Sequence, residues 1–146
     1  LDLCGPRGEQ YLAPALVDSD LRMPPGMPSN LLPPPTLLWS TIGVFRAPQN
    51  AELVSAQRTD ASTTLRYRAG DEHWTFVLRD GRLMNAEWLG PQQGRQTVEI
   101  KDYHARGLPA RVVYRDWREF RELTLELNQV HDAETFPADT WLPDIR

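Results

Sequence analysis

Cysteine, lysine and histidine are scarce in this chain, and each shortage removes a class of chemistry. Of 146 residues only Cys4 is a cysteine, which excludes an intrachain disulfide and a thiolate zinc cluster. Only Lys101 is a lysine among 16 basic residues, so the positive groups are arginine forks suited to bidentate carboxylate pairing, a bias that codon usage would equally produce. The three histidines, His73, His104 and His131, lie in separate segments without a His-x-x-x-His pair, so a metal site would need long-range convergence. Asp102, Tyr103 and His104 are adjacent, but neighbours on a strand point to opposite faces. A Gly-x-Ser-x-Gly elbow, a phosphate-binding glycine loop and a recognisable carboxylate pair are all lacking. The expectation is therefore a protein that is not an enzyme, with no catalytic, metal or cofactor residues. No apolar run approaches the ~18 residues that cross a bilayer as a helix. The net charge of −4 argues against a nucleic-acid partner held by phosphate contacts.

What the chain has in plenty is proline, and unevenly. Nine of 13 prolines fall at or before Pro48, separating a proline-rich arm, residues 1–35, from a domain over residues 36–146. Proline fixes its own φ and disfavours α geometry in the residue before it, so the arm is expected to be extended, with neither helix nor central strand. Fully stretched it would reach on the order of 100 Å. Tyr11, Leu12, Leu16, Leu21, Met23 and Met27 make it too apolar for a solvated linker, and they are the expected partner-binding residues. Cys4 reads by default as a plain buried thiol. Acylation as in a bacterial lipoprotein is the alternative, since leucine stands three places upstream and glycine follows, although Leu3 occupies the place where a small residue is wanted. The sequence opens on Leu1, which leaves room upstream for a signal peptide or membrane anchor.

The run from Pro35 to Gly43 predicts a short helix, with proline at its start and glycine as its stop. Leu38, Trp39 and Ile42 share one side of it. Beyond Pro48 the apolar period becomes two, the mark of antiparallel strands. Strands are expected at 52–58, 63–68, 73–79, 82–88, 96–103, 110–117 and 121–130. Asp80-Gly81 is a two-residue type I′ hairpin signal, and Gly70-Asp71, Gly90 to Gly94 and Gly107 to Pro109 mark other reversals. Short connections favour a meander of sequential neighbours. The fold class is thus mainly β: a curved antiparallel meander of about seven strands with a short helix on one face and an extended arm.

Alternation assigns faces. Leu123, Leu125 and Leu127 are expected on a dry face, with Glu122, Thr124, Glu126 and Asn128 on a wet one. Glu119, Glu122 and Glu126 with Arg115, Arg118 and Arg121 read as charge pairs on the wet side of the last two strands. Pairing Leu78 with Leu83 and Val77 with Met84 would put Trp74, Phe76, Leu78 and Leu83 on one face of the hairpin. Val77, Met84, Ala86 and Trp88 would then lie on the other, leaving two apolar faces in need of cover. Trp74, Trp88 and Trp117 read first as core or rim packing, with interface aromatics as the alternative.

In the order of its features the chain resembles the LolA/LolB-like periplasmic lipoprotein-carrier superfamily over roughly residues 31–143. The resemblance runs from the Leu37-Leu38-Trp39 to Gly43-Val44 region through the meander. It continues in Val98 to Tyr103, Gly107-Leu108-Pro109-Ala110-Arg111, Leu123 to Leu127 and Phe136-Pro137. It implies a half-open β-barrel, plugged by a helix, whose concave face accepts acyl chains. Leu38, Trp39, Ile42, Trp74, Phe76 and Leu78 would be the hydrophobic ligand face. The place of that family's N-terminal helix and first strands is taken here by the proline-rich arm, leaving an incomplete half-barrel. Two functions are expected. The first is a non-catalytic periplasmic accessory or stabilising subunit, peripheral to the membrane, docked on a membrane-associated bacterial complex such as a respiratory or photosynthetic one. The second is a carrier of lipid or lipoprotein acyl chains.

Overall fold

The computed structural model describes residues 3–4, 10–12, 14–17, 19–27 and 32–128. The chain divides into two compact units, the first comprising residues 1–35 with 131–146 and the second residues 36–130. In the first unit the extended chain folds back on itself. Strands β1 (Leu3–Cys4) and β2 (Gln10–Leu12) pair antiparallel, and so do β3 (Ala15–Val17) and β4 (Asp20–Arg22). The prolines explain the placement. Pro14 and Pro24, which cannot donate to a ladder, fall outside the strands, Pro14 just before β3 and Pro24 just after β4.

The second unit begins with α1 (Pro35–Thr41), followed by one sheet. Its strands are β5 (Glu52–Arg58), β6 (Thr63–Ala69), β7 (Glu72–Arg79), β8 (Arg82–Leu89), β9 (Arg95–Tyr103), β10 (Pro109–Asp116) and β11 (Arg121–Glu126). They lie side by side in sequence order, all antiparallel, as an open sheet with β5 and β11 at its two edges. The turns follow local chemistry. Asp80 and Gly81 both have positive φ (50° and 75°), as a type I′ turn requires. The helix stops at Gly43, φ +79°, whose N–H donates to the Ser40 carbonyl at 3.0 Å. A Cβ at Gly43 would stand 2.8 Å from Cγ of Pro109, at the start of β10.

The core lies on one face of the four central strands. Leu37 of α1 packs with Trp74 and Phe76 of β7, Leu83 and Ala86 of β8, Val98 and Ile100 of β9, and Val112 and Tyr114 of β10. Phe45 meets Phe76 edge-on with ring centroids 4.9 Å apart, a favoured aromatic geometry. Full burial of a phenylalanine such as Phe76 stabilises by about 2–3 kcal/mol. The Trp88 indole is seated on glycine: a Cβ at Gly90 would fall 2.2 Å from its Cζ2, and one at Gly94 3.4 Å from its Cζ3.

Two face assignments made from alternation are corrected. On β8, Leu78 pairs with Leu83 but Val77 pairs with Asn85, so Met84 is an extra, unpaired residue. That β-bulge shifts the period by one. Ala86 and Trp88 therefore oppose Phe76 and Trp74 and join the core face, leaving Thr75, Val77, Asn85 and Glu87 on the other. The hairpin has one apolar face, not two. The second correction concerns β11, where every residue is exposed. Leu123 and Leu125 do face the same side as Tyr114 and Val112, but the buried core stops at β10, and so that side of the edge strand is not dry. Strand β11 also ends at Glu126, short of the expected 130, and residues 129 and 130 lie outside the described residues.

Candidate functional site

Strand β11 pairs with β10 through Arg111–Glu126, Val112–Leu125, Val113–Thr124, Tyr114–Leu123, Arg115–Glu122 and Asp116–Arg121. The Leu127 N–H donates to the Ala110 carbonyl at 2.9 Å. Because N–H and C=O of one residue point the same way in an antiparallel strand, and alternate along it, Arg121, Leu123 and Leu125 bond inward. Glu122, Thr124 and Glu126 direct their backbone groups to the outer edge. Among the described residues nothing pairs with that edge.

The tip of the β10–β11 hairpin is organised by Asp116, which is only 4% exposed. Its Oδ1 accepts the backbone N–H groups of Arg118 and Glu119, each at 3.1 Å. Its Oδ2 accepts Gln96 Nε2 at 3.2 Å and Arg121 Nη2 at 3.3 Å. Held in this way, the loop turns Phe120 outward in a left-handed conformation, φ 52°, with 95% of its surface exposed. Trp117, half-exposed beside it, carries the Arg95 guanidinium 5.2 Å from its ring centroid. Arg115, Asp116, Trp117, Phe120, Arg121 and Glu122 line an open hollow of about 350 Å³.

On the polar face the last three strands carry charges in rows of alternating sign. Glu99 of β9 accepts Arg115 Nη1 at 3.2 Å, and Glu122 of β11 accepts Arg115 Nε at 2.7 Å. Arg111 stands 3.7 Å from Glu126. Lys101 donates to Glu99, and this bond is the largest of the effects that hold the Glu99 carboxyl below its ordinary value. The hydrogen bond to Glu122 is the main cause that raises Arg115 further. Behind them, burial and the neighbouring Asp116 charge push the Tyr114 phenol up to about 12. Of the expected charge pairs, Arg115 with Glu122 is present, whereas Arg121 turns to Asp116, and the Arg118 and Glu119 amides serve the turn.

The residues singled out from sequence are distributed as follows. Trp74 and Phe76 are buried in the core, and Leu78 packs against it. Leu38 and Trp39 are half-buried on α1, with the Arg46 guanidinium 4.3 Å from the Trp39 ring centroid, and Ile42 is half-exposed just beyond the helix. Leu16 and Leu21 are paired across β3 and β4, Met23 is half-buried and Met27 exposed. Cys4 lies in β1, and Tyr11 and Leu12 in β2, but their side chains lie outside the described residues, as do His131, Phe136 and Pro137 altogether. His73 is exposed on β7, and His104 Nε2 lies 2.8 Å from the Leu127 carbonyl oxygen. Among the described residues no three His, Cys, Asp or Glu side chains gather as a metal site, and no helix is long and apolar enough to cross a membrane.

Reading from sequence missed the outer edge of β11. The signal was present: the last strand of a meander is an edge by construction, and here it alternates leucine with glutamate. Comparison with protein-family models, with curated proteins and with solved structures returns no match for this chain, so its function is read from its own residues.

Proposed function

We propose that this chain is a non-catalytic accessory subunit that docks on a larger protein assembly. The observation that carries this reading is the β10–β11 edge, where Trp117, Phe120, Leu123 and Leu125 are all exposed in one contiguous stretch of chain. Aromatic residues are enriched at interfaces, and exposed edge strands are ordinarily blunted or covered. The setting we propose is the periplasmic face of a bacterial membrane complex, on the strength of the apolar arm and the order of sequence features. A photo-crosslinking residue placed at Leu123 in the full chain tests the reading. In native membranes it should capture one defined partner protein, and the same probe at Arg79, on the far Asp80-Gly81 turn, should not. Equal labelling at both positions, or a free monomer in the native extract, refutes it.

Carriage of an acyl chain is the second reading. It draws on the gathering of Trp74, Phe76, Leu78 and α1 on one face of the sheet. An acyl chain there would have to displace part of the core, since Phe76 and Leu37 are already fully buried within it. Acyl ligands identified by mass spectrometry of the purified chain, and lost on Phe76→Asp, would favour this reading over docking.

A further inference from the structure

The docking edge has a chemistry of its own, and it defines what the edge should hold. We infer that β11 takes an extended segment of a partner protein as an added strand. That segment is basic at two positions four residues apart, and apolar on either side of the residue midway between. The inference rests on the docking reading above and names the partner's chemistry.

The inner neighbour of β11 supplies the template. Opposite Glu126, Leu125, Thr124, Leu123 and Glu122 stand Arg111, Val112, Val113, Tyr114 and Arg115, a run that is basic, apolar, central, apolar, basic. The outer edge offers the same five positions to a second strand. Its backbone is in phase for the purpose, because Glu122, Thr124 and Glu126 are the residues whose N–H and C=O point outward, as the inward Leu127 bond requires. The carboxylates of Glu122 and Glu126 remain 56% and 61% exposed although Arg115 and Arg111 approach them from the inside. A carboxylate accepts at about four lone-pair sites, so each can take a second cation from the outside. The sign order along the row Glu99, Arg115 and Glu122, acidic, basic, acidic, then continues with a basic residue on the added strand. On the opposite face Leu123 and Leu125 offer apolar contact to the two inner positions. Since the pattern is palindromic, it serves a strand running in either direction. A second copy of β11 fits less well, because bringing Leu123 against Leu125 of the copy sets Glu122 opposite Glu126 twice, and directly opposed like charges are destabilising.

The test uses the full chain and two labelled peptides, one reading Arg-Val-Thr-Val-Arg and one Glu-Val-Thr-Val-Glu, each flanked by Gly-Ser. By fluorescence anisotropy the basic peptide should bind on the order of tenfold tighter, as expected when two opposed charge pairs change sign. In amide exchange followed by NMR it should slow the Thr124 and Glu126 N–H groups and leave that of Leu123 unchanged. Thr124→Pro removes an outward N–H without touching the β10 ladder, a position where an edge strand tolerates proline. It should abolish binding while the melting midpoint is kept. The double variant Glu122→Arg, Glu126→Arg should reverse the peptide preference. Equal affinity for both peptides, binding that survives Thr124→Pro, no binding by the native chain, or a dimer formed through β11 would each overturn the inference. A specific crosslink from Leu123 obtained alongside such a failure would leave the docking reading standing, whereas strand binding without any crosslinked partner would remove the docking reading alone.

Discussion

Replacing Asp116 by alanine should be among the most damaging changes outside the apolar core. One buried carboxylate satisfies four donors there, two backbone N–H groups of the turn, the Gln96 amide and the Arg121 guanidinium. Loss of an acceptor that caps turn N–H groups costs about 1 kcal/mol, because water reaches an exposed loop and recovers part of the interaction. The Gln96 amide, bonded to a charge and screened from water, accounts for about 1.5 kcal/mol. Arg121 is 42% exposed and adds only about 0.5 kcal/mol. A loss of about 3 kcal/mol follows. In urea, with a slope of about 1.5 kcal/mol per molar for a unit of this size, the midpoint should fall by about 2 M, measured by tryptophan fluorescence. Asp116→Asn should cost less, since its carbonyl still serves one pair of donors. Adding Gln96→Leu to Asp116→Ala should restore part of the loss, because an orphaned donor is removed together with its acceptor. A midpoint shift worth less than about 1 kcal/mol, with the slope unchanged, would mean that water serves these donors as well as Asp116 does, and would refute the reasoning.

Gly90→Ala should cost about 1–3 kcal/mol through overpacking, because the new Cβ would lie 2.2 Å from the Trp88 indole. The near-ultraviolet circular dichroism of the Trp74–Trp88 pair should change while the far-ultraviolet spectrum stays sheet-like. At Gly43 φ is +79° and a new Cβ would meet Pro109 Cγ at 2.8 Å. Alanine there should lower the thermal midpoint by several degrees, corresponding to about 1–2 kcal/mol. The Tyr114 phenol, raised from 10.0 to about 12 chiefly by burial, makes stability fully present below pH 10 and progressively lost between pH 10 and 12. Tyr114→Phe should flatten that alkaline limb in pH-dependent urea melts, and an unchanged limb would show that another group is responsible. The depressed Glu99 carboxyl works in the opposite direction. Its contribution is present above its ordinary value of 4.5 and lost as pH falls through the folded value, so Glu99→Gln should make acid unfolding less steep.

The sheet was legible because its strands are bounded by residues that can do little else. Asp80-Gly81 and Gly70-Asp71 fix two reversals, and alternation marks β5 to β10 to within a residue or two at each end. The helix start at Pro35 and its stop beyond Thr41 were equally plain. Two features were not legible, for distinct physical reasons. A bulge such as that at Met84 is a tertiary compromise between two strands, and no local residue type demands it. The exposure of β11 depends on where the core ends. Leu123 and Leu125 have the alternation of a buried strand, but burial is set by what lies opposite, and the buried core around Leu37 of α1 includes no residue of β11. In the arm, the prolines did not reveal that described stretches between them hold paired strands.

The unpaired Met84 has a consequence for how substitutions along β8 will be tolerated. On its N-terminal side even-numbered positions belong to the polar face, whereas from Asn85 onward the even positions belong to the core. Tolerance along the strand therefore inverts its phase at one residue: Arg82, Asn85 and Glu87 stand where polar changes are free, and Leu83, Ala86 and Trp88 where they are not. Deleting Met84 would set Leu83 beside Asn85 and leave a regular alternation that keeps Leu83, Ala86 and Trp88 on the core face. Pairing Met84 as an ordinary strand residue would instead force either Leu83 or the Ala86–Trp88 pair into water. Met84 thus acts as a phase marker for half of the hairpin, and its own side chain is the least informative thing about it.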